Sequence, residues 1–272
     1  MKVNARVSAT AALLLSLGML TGCNQLKARD QLTKGVAAFK NAQYEQAINA
    51  FQKSIQYDPN YMDAKLYLAT AYSYQVVPNL DTPENMAYAN KAITGFKDYL
   101  DKKPGDKVSL QQLASIYRNI KKYPEAKNYE LQVIQVDPKD AEAHYTIGFV
   151  DWVESYDNAR KALATDGLTD DGKGNIKMSK ATCAKLKDQN GALVADGLDH
   201  LKQATTINTD YADAYSYLNL IYRRKADVDC GNPAAVTEDV AQAEKASQAV
   251  LGARQAEEKK KEEKLRGGVT MQ

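Results

Sequence analysis

The chain has 272 residues, with 36 lysines and arginines against 34 acids and a formal charge of +2, a balance that excludes a charge-driven nucleic-acid binder. Its aromatics are 17 tyrosines, four phenylalanines and one tryptophan, and it has three cysteines and two histidines. Two histidines cannot build a histidine-rich zinc site, and no Cys-x-x-Cys pair, phosphate-cradling glycine loop or Gly-x-Ser-x-Gly elbow occurs, so neither an enzyme nor a cofactor is expected.

The first segment reads as an export signal. Lys2 and Arg6 precede an apolar run from about Ala9 to Leu20, which is shorter than the ~20 residues a spanning helix needs. Leu20-Thr21-Gly22-Cys23 follows, and this order resembles the lipobox of bacterial lipoproteins. The resemblance implies a cleaved signal over 1–22, acylation of Cys23, a short linker over 23–27 and a membrane-anchored body. Asn24 in place of Asp then favours the outer membrane, with the body facing the periplasm. With Cys23 used for lipid, Cys183 and Cys230 remain as a disulfide candidate in an oxidising compartment; the alternative is two separate buried thiols.

The body is periodic. Asp58-Pro59, Lys103-Pro104 and Asp137-Pro138 each end an amphipathic segment, because proline cannot continue a helix. From Ala28 to Tyr61, Gly35 and Ala47 take small positions, Phe51 a large one and Pro59 the stop. Met62 to Asp106 repeats the order with Leu68, Ala69 and Tyr72, then Ala92, Phe96 and Tyr99, around an insertion near "VVPNLDTPEN". There Thr82-Pro83-Glu84 predicts a helix start: an N-cap, a first-turn proline and an acid at the positive helix end. Lys107 to Asp140 carries Leu113, Ala114 and Tyr117, then Tyr123, Ala126 and Pro138.

The fourth repeat starts at Ala141 with Ile147 and Gly148, and resumes only at Gly197, Leu201 and Ala204 before ending near Tyr211. The polar stretch "TDGLTDDGKGNIKMSK" lies in the insertion between. Thr169–Lys180 fails as a calcium loop, because Thr169, Lys173 and Lys180 stand where ligands are required. The fifth repeat runs from Ala212 through Leu218, Asn219 and Tyr222, turns at "VDCGNP", and continues through Ala243 and Val250 to about 252. Residues 253–272 read as a charged helical end and tail with pairs such as Glu257 and Lys261.

The 34-residue small–large–proline order resembles the tetratricopeptide repeat, a pair of antiparallel helices. The resemblance implies an all-α, right-handed solenoid of about five helix-turn-helix pairs over 28–252, with boundaries near 28–61, 62–106, 107–140, 141–211 and 212–252 and insertions in repeats 2, 4 and 5. In that family the first helix of each pair lines a concave face. Projected here, the face holds Tyr67, Tyr74, Gln111, Ser115, Arg118, Tyr145, Phe149, Trp152, Tyr217, Leu220 and Arg223. Tyr, Trp and Arg are favoured anchors for a protein or peptide partner. The expected function is a lipid-anchored envelope scaffold serving a process such as secretion, pilus biogenesis or outer-membrane protein insertion. The rival reading is an accessory to an envelope enzyme, or a glycan-binding module, that uses the repeat-four insertion.

Overall fold

The computed structural model describes the backbone of residues 5–269, and side chains from Cys23 to Glu263 together with Arg266. Lys2 and the side chains of the predicted apolar run lie outside the described residues. The described residues form ten α-helices and no strand. They divide into two compact units, Met1–Lys122 and Tyr123–Gln272.

Unit 1 holds α1 (Ala5–Lys40), α2 (Tyr44–Tyr57), α3 (Met62–Ser73), α4 (Pro83–Leu100) and α5 (Lys107–Asn119). The α2 sequence buries Ala47, Ile48, Phe51 and Ser54, a stripe at helical spacing. Phe51 lies against Gly35 of α1 so closely that an added Cβ would stand 2.3 Å from the ring. The Ser54 hydroxyl completes the junction by donating to the Ala28 carbonyl at 2.7 Å. Thr82 caps α4 as expected, accepting from the Asn85 amide at 3.3 Å, with Pro83 in the first turn. The Asn85 carboxamide fixes the insertion before it, bonding the Val77 amide and the carbonyls of Val77 and Leu80. Residues 23–27 are helical, a short stalk within α1.

Unit 2 holds α6 (Tyr123–Val136), α7 (Ala141–Thr165), α8 (Lys180–Ile207), α9 (Ala212–Val228) and α10 (Pro233–Val269). The repeat-four insertion is mostly helical: α7 and α8 run to 25 and 28 residues and leave only 166–179 as a loop. Ala159, Ala162 and Leu186 seal their extended ends, with Met178 packed on them. Helix α10 continues past 253 without a break. Glu257 does not take the expected role with Lys261; it accepts from the Ala212 amide at 3.4 Å, while Lys260 pairs with Asp210.

Three helix stops reuse one turn. The Asp58 carboxylate accepts from the Asn60 amide at 3.0 Å, Asp137 from Lys139 at 3.1 Å, and Asn208 from Asp210 at 3.2 Å. Asn208 thus performs the Asp-Pro stop with no proline beside it, because the turn needs a short side-chain oxygen.

Candidate functional site

In unit 2, Tyr145, Phe149, Trp152 and Tyr156 fall at i, i+4, i+7 and i+11, one face of α7. Tyr217 of α9 meets three of them, at ring distances of 5.7 Å to Tyr145, 5.0 Å to Phe149 and 5.1 Å to Trp152, all edge-on. Trp152 stacks on Tyr156 at 5.3 Å, and Tyr123 extends the row from Phe149 at 6.3 Å. At the other side Tyr145 lies 5.0 Å from Tyr211, whose hydroxyl donates to Glu142. Burial and the Glu142 carboxylate both push the Tyr211 hydroxyl's pKa up, so it remains a donor. The rings are half-buried. Tyr145, Trp152 and Tyr217 rest their inner sides on a core of Val194, Leu198, Leu201, Leu218 and Ile221. The row therefore fills core on one side and presents aromatic edge on the other.

In unit 1 the predicted residues spread more thinly. Tyr67 is 38 % exposed and stacks on Phe51 at 5.6 Å. Tyr74, just past α3, is 56 % exposed and closes a triad with Phe39 and Tyr44 at 4.9 and 5.6 Å. A recess of about 280 Å³ lies between α3 and α5, lined by Ser73, Tyr74, Gln112, Ser115, Ile116 and Asn119. Gln111 and Arg118 are half-buried on α5 but outside that lining, which follows the 112, 115, 116, 119 stripe.

Arg223 departs from the projected groove. Its guanidinium donates to the Gly172 carbonyl at 2.9 Å, to Asn219 at 2.9 Å and to Glu244 at 2.7 Å, tying the insertion loop to α9. Arg224, buried beside it, donates twice to Asp170 at 2.8 and 2.7 Å, and stands 2.8 Å from an Asp227 oxygen and 5.5 Å over Tyr156. Burial raises Asp170, but the guanidinium outweighs it and holds that carboxyl below its usual range. Asp227 goes the other way, pushed to about 6 by burial despite Arg224. Asn175 links loop and helix by donating to Asp227 at 2.8 Å. The Arg224 guanidinium thus ties Asp170 of the loop to Asp227 of α9. Cys183 and Cys230 are bridged across a Cα distance of 5.8 Å, and Cys23 is a free, exposed thiol.

A second cluster escaped the sequence reading. His144 of α7 and His200 of α8 meet at Nδ1 to Nδ1, 2.8 Å apart. The Pro138 carbonyl, 3.2 Å from His144 Nε2, can only accept, so His144 carries its proton there and His200 Nδ1 donates. Lys127 of α6 joins Asp151 at 2.5 Å to Asp196 at 2.8 Å, and Asp196 faces His200 at 3.8 Å. The Asp196–His200 spacing of four residues was the available signal. Among the described residues no group of three His, Cys, Asp or Glu side chains is placed to hold a metal.

The tetratricopeptide repeat family matches residues 31–61 and 108–140, so the chain carries tetratricopeptide repeats. No curated protein sequence matches the chain. Among solved structures, MamA protein aligns over 86 % of this chain and 94 % of its own, at a TM-score of 0.56 and 16 % identity. MamA from residue 41 onward of Desulfovibrio magneticus RS-1 gives 82 % and 96 %, a TM-score of 0.53 and 14 % identity. YrrB, a tetratricopeptide protein "with an unusual peptide-binding site", gives 83 % and 90 %, a TM-score of 0.50 and 13 % identity. At these identities the likeness is one of fold, the all-α tetratricopeptide solenoid class.

Proposed function

We propose that this chain, which carries tetratricopeptide repeats, is a lipid-anchored envelope scaffold that grips a protein or peptide partner on the aromatic row of α7 and α9. The row itself carries the reading. Half-buried Tyr, Phe and Trp rings combine apolar area with polar edges and are already held in place, so little side-chain freedom is lost on binding. The peptide-binding site of the structurally similar YrrB supports the class of activity. The membrane half of the proposal rests on the "LTGC" order and on the stalk after it, where Leu26 is 71 % exposed beside Lys27. On this reading Cys23 is acylated at the outer membrane and the body faces the periplasm.

Tyr217 is the central ring, and Tyr217→Ala together with Phe149→Ala removes the middle of the row. Crosslinking in envelope extracts, followed by quantitation of the partner captured by wild type, should show at least a tenfold loss in the double variant. A single hot-spot truncation typically costs about 2 kcal/mol or more. Equal recovery sinks the groove. Mass spectrometry of Cys23 tests the anchor separately, and an unmodified thiol in envelope-derived protein ends that half.

A further inference from the structure

The insertion loop of unit 2 has an inside and an outside of different chemistry. Each of its acids is partnered within the unit: half-buried Asp170 by Arg224, exposed Asp171 by the amides of Lys173 and Asn175 at 2.7 and 3.0 Å, and Asp166 at the surface by the Ser179 amide at 2.7 Å. Gly172, Gly174 and Asn175 hold left-handed backbone, with φ of 62°, 86° and 44°. At Gly174 an added Cβ would stand 2.7 Å from Val236, so the loop lies tight on α10. The Cys183–Cys230 bridge fastens the same corner.

Beside exposed Asp171, whose carboxylate is taken up by backbone amides, the loop exposes Lys173, Ile176, Lys177 and Lys180. Ile176 is 82 % exposed, more than any other large apolar side chain among the described residues. None of the three lysines makes an ion pair among the described residues, although Lys127, Lys225 and Lys260 of the same unit do. A tightly fastened loop therefore holds one isoleucine out into water on a segment that also carries three unpaired lysines.

We infer that this loop is a membrane-contact tip, setting Ile176 into the surface of an anionic bilayer while Lys173, Lys177 and Lys180 meet lipid phosphates. The charge pattern favours this occupant. Lysines left free of carboxylates follow a fluid layer of phosphates, and a protruding apolar side chain needs no matching socket in a bilayer. The contact does not rest on acylation of Cys23, and its failure would leave the scaffold reading intact.

The test places a reporter at the tip of the full chain. Ile176→Trp is mixed with vesicles of phosphatidylcholine, or of phosphatidylcholine and phosphatidylglycerol, with brominated acyl chains; the parent chain supplies the Trp152 background. Quenching at position 176 is expected on the anionic vesicles only, and raised salt should abolish it. In the same chain, replacing Lys173, Lys177 and Lys180 by Gln should weaken binding about fivefold per lysine removed. Reading the tip alone keeps any membrane affinity of the N-terminal segment out of the signal. Quenching no greater than background on anionic vesicles overturns the inference, as does equal quenching on phosphatidylcholine. An emission shift of the introduced tryptophan caused by an acidic protein but not by vesicles also overturns it, and assigns the tip to a protein partner.

Discussion

The two units use the same helix pair and stabilise it differently. Unit 1 keeps its helices short, α2 to α5 spanning 12 to 18 residues, and packs them closely through small residues: Gly35 against Phe51, and Gly95 against Ala69. Its lysines sit over rings, as Lys91 does over Tyr72 and Lys97 over Tyr117. Unit 2 keeps the close packing, with Gly148 on Leu201, and extends its helices beyond the repeat. The extension is fastened by the disulfide, the Arg224 cluster and the Lys127–Asp151–Asp196 chain. A repeat stabilised by its neighbours needs only small and large residues in order. An embellishment outside the repeat has no neighbour of its own kind, and here covalent and charged ties take that place.

If that contrast is right, removing a tie should unfold unit 2 and spare unit 1. The largest effect is expected at Arg224, whose loss leaves Asp170 and Asp227 facing each other under cover. Breaking a buried pair from one side costs about 3–5 kcal/mol. The sole tryptophan, Trp152, reports on unit 2. Arg224→Ala should lower the urea midpoint followed by Trp152 fluorescence, and adding Asp170→Asn and Asp227→Asn should recover most of the loss. No shift in the midpoint would mean that the loop is held without the cluster.

The disulfide comes next. It joins residues 47 apart, and a loop of that size is worth about 4 kcal/mol at most on the chain-entropy model, usually less in practice. The Cys183→Ala, Cys230→Ala variant should lose part of the Trp152 transition's stability while the far-UV signal contributed by unit 1 unfolds where it did before. A loss shared equally by both transitions would break the contrast.

The same contrast decides what the sequence makes legible. The helix pairs can be read because their signal is periodic: Gly35, Ala47, Phe51 and Pro59 recur in kind at Ala69, Ala92, Phe96 and Pro104. The cap at Thr82 and the cysteine pair are local or arithmetical signals, and the structure contains both. The Arg224 cluster has no such signal. Its members lie 54 residues apart in one direction and three in the other, and pairing across an insertion follows no period. Arg223 looks like a groove residue by register because the first-helix face continues through it; only the folded loop, returning to α9, claims it. The aromatic row is legible as a set of spacings on α7, whereas its closure by Tyr217 depends on which helix packs alongside.

The smallest expected effect concerns the Lys127 chain and distinguishes its two ends by pH. Burial outweighs Lys127 and raises Asp151 from 3.8 to about 7. Folding then takes up a proton between those values, so the stability Asp151 contributes is full below about 4 and is lost as pH rises through about 7. Asp227, raised by burial to about 6, acts in the same sense. His200 acts in the opposite sense. Burial lowers it from 6.5 against the pull of Asp196, so its contribution is present above 6.5 and is lost as pH falls through its lowered value. Asp196, which Lys127 holds below 3.8 in spite of burial, matters only in stronger acid. One proton sets a slope of at most about 1.4 kcal/mol per pH unit. Asp151→Asn removes that proton, so the gain in the urea midpoint of the Trp152 transition on going from about pH 7 to 4 should be smaller than in wild type. With this opposing term gone, the loss on acidification through the His200 range should stand out more clearly. A variant whose pH profile matches wild type would move the proton off Asp151 and leave Lys127 an ordinary surface cation, like those of unit 1.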